Sequence, residues 1–108
     1  MKKFVNLTPH EITLVDNNDK VIATFPPSGN IARVSARTIR VASINHIPIS
    51  TTSYGEVEGL PEPNDDEVYI VSSLVAQRCQ GREDIFIPNE SVRDEKGRII
   101  GCRSLGII

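Results

Sequence analysis

Residues 11–16 alternate, with Ile12, Leu14 and Asp16 on one side and Thr13 and Val15 on the other, the period of a half-buried strand. Residues 21–25 form a second run rich in β-branched side chains, and Asp16-Asn17-Asn18-Asp19-Lys20 between the two tolerates positive φ. The pattern predicts a hairpin. Pro26-Pro27-Ser28-Gly29-Asn30 ends the second strand, because neither proline can donate to a ladder and Gly29 supplies a turn.

Residues 31–44 read as one long extended stretch, bent near Ala36, with Val34, Ile39, Val41 and Ile44 set among Arg33, Arg37 and Arg40. If the stretch is straight, Arg33 and Arg37 share a face. Residues 47–52 predict another strand and residues 59–66 a loop, followed by an apolar strand over 67–71. Ser72 or Ser73 suits a helix N-cap, residues 74–80 a two-turn helix and Gly81 its stop. Beyond it, residues 84–87 predict a short strand. Residues 91–93 and 98–100 flank Asp94-Glu95-Lys96-Gly97, a type I turn with a glycine bulge, and so a second hairpin.

These segments, with no internal repeat and no linker, predict a single domain over residues 1–108 of α+β class, mainly β. The expected architecture is a small compact antiparallel or mixed sheet, or a barrel-like domain, with one short helix. Composition agrees with a folded chain: 39% of the 108 residues are apolar and 24% charged, and seven glycines and seven prolines cut the sequence into short pieces.

The net charge of -2 supplies no global field for a DNA or RNA polymer or for an anionic membrane. An anion would need a local site. Met1-Lys2-Lys3 resembles the start of a signal peptide, but Phe4-Val5-Asn6-Leu7 is too short an apolar run before Thr8-Pro9-His10-Glu11 interrupts it. With no stretch of about 20 apolar residues either, a cytoplasmic location is expected. Cys79 and Cys102 lack the paired spacing of a zinc or redox motif and are expected as free thiols.

Catalytic and metal motifs are not recognised. His10-Glu11 would need a second histidine at position 14, which is Leu14. The acidic residues Asp65, Asp66 and Glu67 lack the alternating spacing of a calcium loop. No cofactor is expected, and binding is favoured over catalysis. A phosphoester hydrolase, with His10 and Asp84 as first suspects, is the weakest of the functional readings.

Two places suit an anion. Ser28 and Gly29 could present backbone N–H groups, with Arg33 and Arg37 near enough to pair with phosphate oxygens. Ser72 and Ser73, where a strand passes into a helix, offer hydroxyls and amides, and Arg103 adds a third cation. His10 completes the candidate ligand-binding set.

Asn6-Leu7-Thr8-Pro9-His10-Glu11-Ile12, Pro26-Pro27-Ser28-Gly29 with Ala32-Arg33-Val34, Gly59-Leu60-Pro61, Tyr69-Ile70-Val71-Ser72, Arg93-Asp94 and Gly101-Cys102-Arg103-Ser104-Leu105 together span nearly the whole chain. In these motifs the chain resembles a family of short uncharacterised proteins from bacteriophages and bacteria. The resemblance implies context and no activity: small phage proteins serve as structural accessories, inhibitors of host proteins, or counter-defence proteins acting in the host cytoplasm.

The expectation that joins these strands is a phage-type binding protein that sequesters a small phosphate-bearing ligand, such as a cyclic nucleotide immune signal, without turnover. The alternative is a protein-interaction, inhibitor or virion accessory module, in which exposed strand edges and residues 47–60 contact a partner. A homo-oligomer would help the first reading, because a shared site doubles the few aromatics and arginines, and Leu105-Gly106-Ile107-Ile108 could pack against a neighbour.

Overall fold

The computed structural model describes residues 2–108. Six strands form one mixed sheet in the order β1-β6-β7-β8-β2-β3: β1 (Lys3–Asn6), β6 (Glu67–Ile70), β7 (Ile85–Arg93), β8 (Ile99–Gly106), β2 (Ile12–Val15) and β3 (Val21–Phe25). Two further strands, β4 (Arg33–Ile44) and β5 (Ile47–Glu58), pair only with each other, and α1 (Ser73–Gln77) is one short helix. The chain is therefore α+β and mainly β, with a mixed sheet.

Both hairpins expected from the turn residues are present. Asp16 Oδ1 accepts from the backbone of Asn18 and Lys20, and Asp19 takes φ 62°, closing β2 onto β3. Asp94 Oδ1 accepts from Lys96 and Arg98 N–H while Gly97 sits at φ 80°, closing β7 onto β8 with a register shift at Val92/Arg93. The segments expected as separate strands on either side of residue 88 are one strand. Pro88 lies beyond the end of β6, so its missing N–H breaks no bond there, and the register with β8 runs unbroken past it although Glu90 takes φ 56°.

The sheet curls until its outer strands meet. Phe4 of β1 lies 5.3 Å from Phe25 of β3 between ring centroids, and Ser28 N–H donates to Asn6 O at 3.1 Å. Inside the curl pack Ile12, Leu14, Ile70 and Cys102, joined by Ala23, Phe25 and Leu105. On the opposite side Leu7, Tyr69, Val71 and Ile85 pack against Val75 and Ala76 of α1. The helix ends at Gln77, earlier than expected, and the following residues turn through i→i+3 bonds such as Cys79 N–H to Ala76 O.

The β4–β5 hairpin departs most from a compact domain. Its twelve-residue strands are joined by Asn45 and His46, both at positive φ (51° and 67°), the geometry of a two-residue type I′ turn. At the root, Val34, Val57 and Leu60 pack on the core, and Arg78 lies 5.5 Å over the Tyr54 ring. Gly59 at φ 80° passes so close to Ile31 that a Cβ would stand 2.5 Å from its carbonyl oxygen. Beyond the root nearly every residue is exposed. The radius of gyration, 17.0 Å, exceeds the roughly 13 Å of a compact 100-residue domain because this arm projects from the body.

Candidate functional site

A cavity of about 740 Å3 opens between the Thr8-Pro9-His10-Glu11 turn, the start of α1 and the β7–β8 hairpin. Asn6 shapes its rim. This side chain is 2% exposed, and its Nδ2 donates to His10 O at 2.7 Å and to Phe25 O at 2.9 Å. Its Oδ1 accepts from Thr8 N–H at 2.9 Å and Thr8 Oγ1 at 2.7 Å. Both donors and both lone pairs are thereby used. The Pro9-His10 corner is held so that the His10 side chain remains exposed at the cavity edge.

Ser72 and Ser73 line the same cavity. The Ser72 hydroxyl caps α1 by accepting from Val75 N–H at 3.4 Å. The far wall consists of Ile87, Pro88, Ile99 and Ile100, with Ser91 beside them. Cys102 lies at the base, 3% exposed, with its Sγ 3.7 Å from Thr13 O, and burial pushes its thiol up from the usual range. Apart from that thiol, His10 and Glu11 are the ionisable side chains of the lining, which includes no arginine or lysine. Such a chamber suits a largely apolar ligand with a few polar atoms near its mouth.

Three of the eight expected ligand residues, His10, Ser72 and Ser73, thus meet in one place. The others lie outside the lining. Ser28 is occupied locally, with Oγ donating to Asn30 O and accepting from Asn30 N–H, while Gly29 takes φ 96° to complete the turn. Arg33 stands opposite Glu58 at the arm root and Arg37 opposite Ser53 further out. β4 is regular between them, so they share a face, but four residues of strand separate them by about 13 Å, too far to grip one phosphate together. Arg103 donates to Asp16 O and, at 2.8 Å, to Asp19 Oδ1, which ties β8 to the β2–β3 turn.

Asp84, the other hydrolase suspect, does not line the cavity with His10. Both its carboxylate oxygens accept from Arg82, at 2.9 and 2.6 Å, and Arg82 also donates to Pro61 O at 3.0 Å. Hydrogen bonding to Arg82 holds the carboxyl below the usual range. Among the described residues, no group of three or more His, Cys, Asp or Glu could hold a metal ion, and no helix is long and apolar enough to cross a membrane.

A different feature stands out on the arm. Cross-strand partners share a face, so the register places Arg37 with Ser53, Ile39 with Thr51, Ala42 with Ile49, and Ile44 with Ile47 on one side. Ala36 with Tyr54, Thr38 with Thr52, Arg40 with Ser50, and Ser43 with Pro48 occupy the other. The Thr38 and Thr52 hydroxyls meet at 3.2 Å on that polar side. The arm is an amphipathic ribbon with a four-isoleucine face, and those isoleucines are 38 to 62% exposed. The extra residue in β4 between Arg40 and Ala42, not visible as a pattern in the sequence, brings Ala42 and Ile44 onto the same face as Ile39. Comparison of the chain with protein-family models, with curated proteins and with solved structures finds no match.

Proposed function

We propose that the chain is a protein-interaction module whose working part is the β4–β5 arm. The observation that carries this is the exposed isoleucine face of a twelve-residue hairpin. A two-stranded hairpin with no third strand or covering layer is marginally stable in water, and concentrated exposed apolar surface marks contact sites. The arm therefore gains most from a protein surface that covers Ile39, Ile44, Ile47 and Ile49. The family resemblance is compatible with an accessory or inhibitor that acts by contact.

Photo-crosslinking in cells tests this. A photoreactive residue at Ile39 should join the chain to a discrete protein species, while the same group at Glu95, exposed on the β7–β8 turn, should not. Equal labelling from both positions, or none from Ile39, would count against the arm.

A second reading is favoured by the cavity. A small ligand sequestered there would meet His10 and the Ser72 and Ser73 hydroxyls against the isoleucine wall. A phosphate-bearing ligand, cyclic nucleotides included, would find no arginine or lysine in the lining of one copy and would depend on polar groups or on cations from a partner. A thermal-shift screen separates the classes: at 100 times its dissociation constant a ligand adds about 2.7 kcal/mol. A flat response to nucleotides with a rise for neutral ligands would remove the phosphate from this reading.

A further inference from the structure

We infer that the surface covering the arm's isoleucine face is the same face of a second copy of this chain, the two arms packing antiparallel about a two-fold axis. This rests on the protein-binding reading above and names the partner.

Three observations lead here. First, the body of the same copy cannot cover the face. Val34 points to the core at the root, whereas Ile39, five residues along the same strand, lies on the opposite side of the ribbon. Second, the face is self-complementary about its centre near Ala42 and Ile49. Antiparallel packing places isoleucine against isoleucine and keeps the two Arg37 side chains about 30 Å apart, whereas parallel packing would set them against each other. Third, residues 41–50 at the tip carry no Asp, Glu, Lys or Arg, so antiparallel packing lays an uncharged tip over the level of the partner's Arg37 and opposes no like charges.

The size of the contact sets its strength. Twelve residues at about 3.3 Å and two strands about 5 Å apart present roughly 400 Å2 per face, about half of what each partner gives to a standard interface. The assembly is therefore a concentration-dependent dimer in the micromolar class.

Sedimentation velocity across about 0.1 to 100 µM, a range that brackets micromolar association, should show monomer giving way to dimer. The double variant Ile39→Ser/Ile49→Ser should raise the dissociation constant at least about tenfold with an unchanged melting profile of the body. A thiol cross-linker of about 10 Å reach, the spacing of packed sheets, should join Ala42→Cys copies on the axis and leave Asn45→Cys copies, at the far tips, unjoined. A dimer indifferent to the serine substitutions, or joined through Asn45→Cys, overturns the inference. So does a monomer throughout the range. If that monomer still cross-links through Ile39 to a different protein in cells, the protein-binding reading stands without this partner, and if Ile39 links to nothing, both fall.

Discussion

Asn6 Oδ1 accepts both the backbone N–H and the hydroxyl of Thr8, and the same amide's Nδ2 bridges His10 O to Phe25 O. One side chain thus fixes the turn that follows β1 and fastens β1 to the end of β3, the opposite edge of the sheet order. The Asn6-Leu7-Thr8 triplet works as turn chemistry with a tertiary consequence: it closes the curl around the inner core.

Replacing Asn6 by Ala would remove the amide donor to Phe25 O and His10 O and the acceptor of Thr8 N–H, leaving His10 O and the Thr8 hydroxyl only each other at 3.0 Å, at an expected cost of about 2 to 4 kcal/mol. Thr8→Val, which keeps Thr8 N–H on Oδ1 but removes the hydroxyl that bonds Oδ1 and His10 O, should cost about 1 to 2 kcal/mol. Urea unfolding with an unchanged m-value checks both. An Asn6→Ala protein within about 0.5 kcal/mol of the parent, the range of ordinary surface substitutions, would mean that Asn6 is not what closes the sheet.

Arg82 and Asp84 make the stability depend on acid. The Asp84 carboxyl titrates below its ordinary range in the folded chain, chiefly through hydrogen bonding to Arg82, with burial opposing. A depressed carboxyl pKa stabilises the fold fully above the unfolded value of about 3.9, and that contribution is lost as pH falls toward the folded value. Asp84→Asn should therefore unfold more easily at pH 7, by about 1 to 3 kcal/mol, and the gap from the parent should shrink as pH falls below 4. A gap that is constant from pH 7 to pH 3 would assign the loss to shape and not to charge.

The parts of the fold legible in the sequence are those with local causes. Asp16 with Asp19, and Asp94 with Gly97, write their turns in the residues that form them, and Ser72 marks the start of α1. What was not legible depends on distant partners. The parallel pairing of β1 with β6 has no turn to announce it, and the β4–β5 register shifts appear only once the strands are aligned. The candidate site follows the same division. His10, Ser72 and Ser73 were identifiable as individual polar residues, but their isoleucine wall arrives through the parallel β2–β8 pairing at Leu14 and Cys102. Arg33 and Arg37 follow the Ser28-Gly29 turn closely in sequence, yet β4 carries them away along the arm.

The two thiols should separate under alkylation. Cys79 is half-buried, whereas Cys102 is 3% exposed at the base of the cavity with its thiol pushed up by burial. A raised pKa and a blocked approach both slow a thiolate reagent, so Cys102 should react at least about a hundredfold more slowly than Cys79 at pH 8 and catch up in denaturant. Mass spectrometry of the labelled peptides reads the order. Equal rates in the native protein would mean that the β2–β8 seam opens readily.

His46 tests the arm from its tip. It occupies the second central position of a type I′ turn at φ 67°, and Asn45 precedes it at φ 51°, so a residue with a Cβ stands where glycine is favoured. The left-handed conformation costs an L-residue about 1 to 2 kcal/mol, partly recovered by glycine's greater entropy when unfolded. His46→Gly, which produces the Asn-Gly pair, should stabilise the arm by about 0.5 to 1 kcal/mol. Amide exchange along β4 and β5 should slow by up to about fivefold, while exchange in the six-stranded sheet is unchanged. Because the arm projects from the body, this change should leave the Asn6 network and the cavity undisturbed. Faster exchange in the arm would show that His46 contributes a contact of its own that glycine cannot replace.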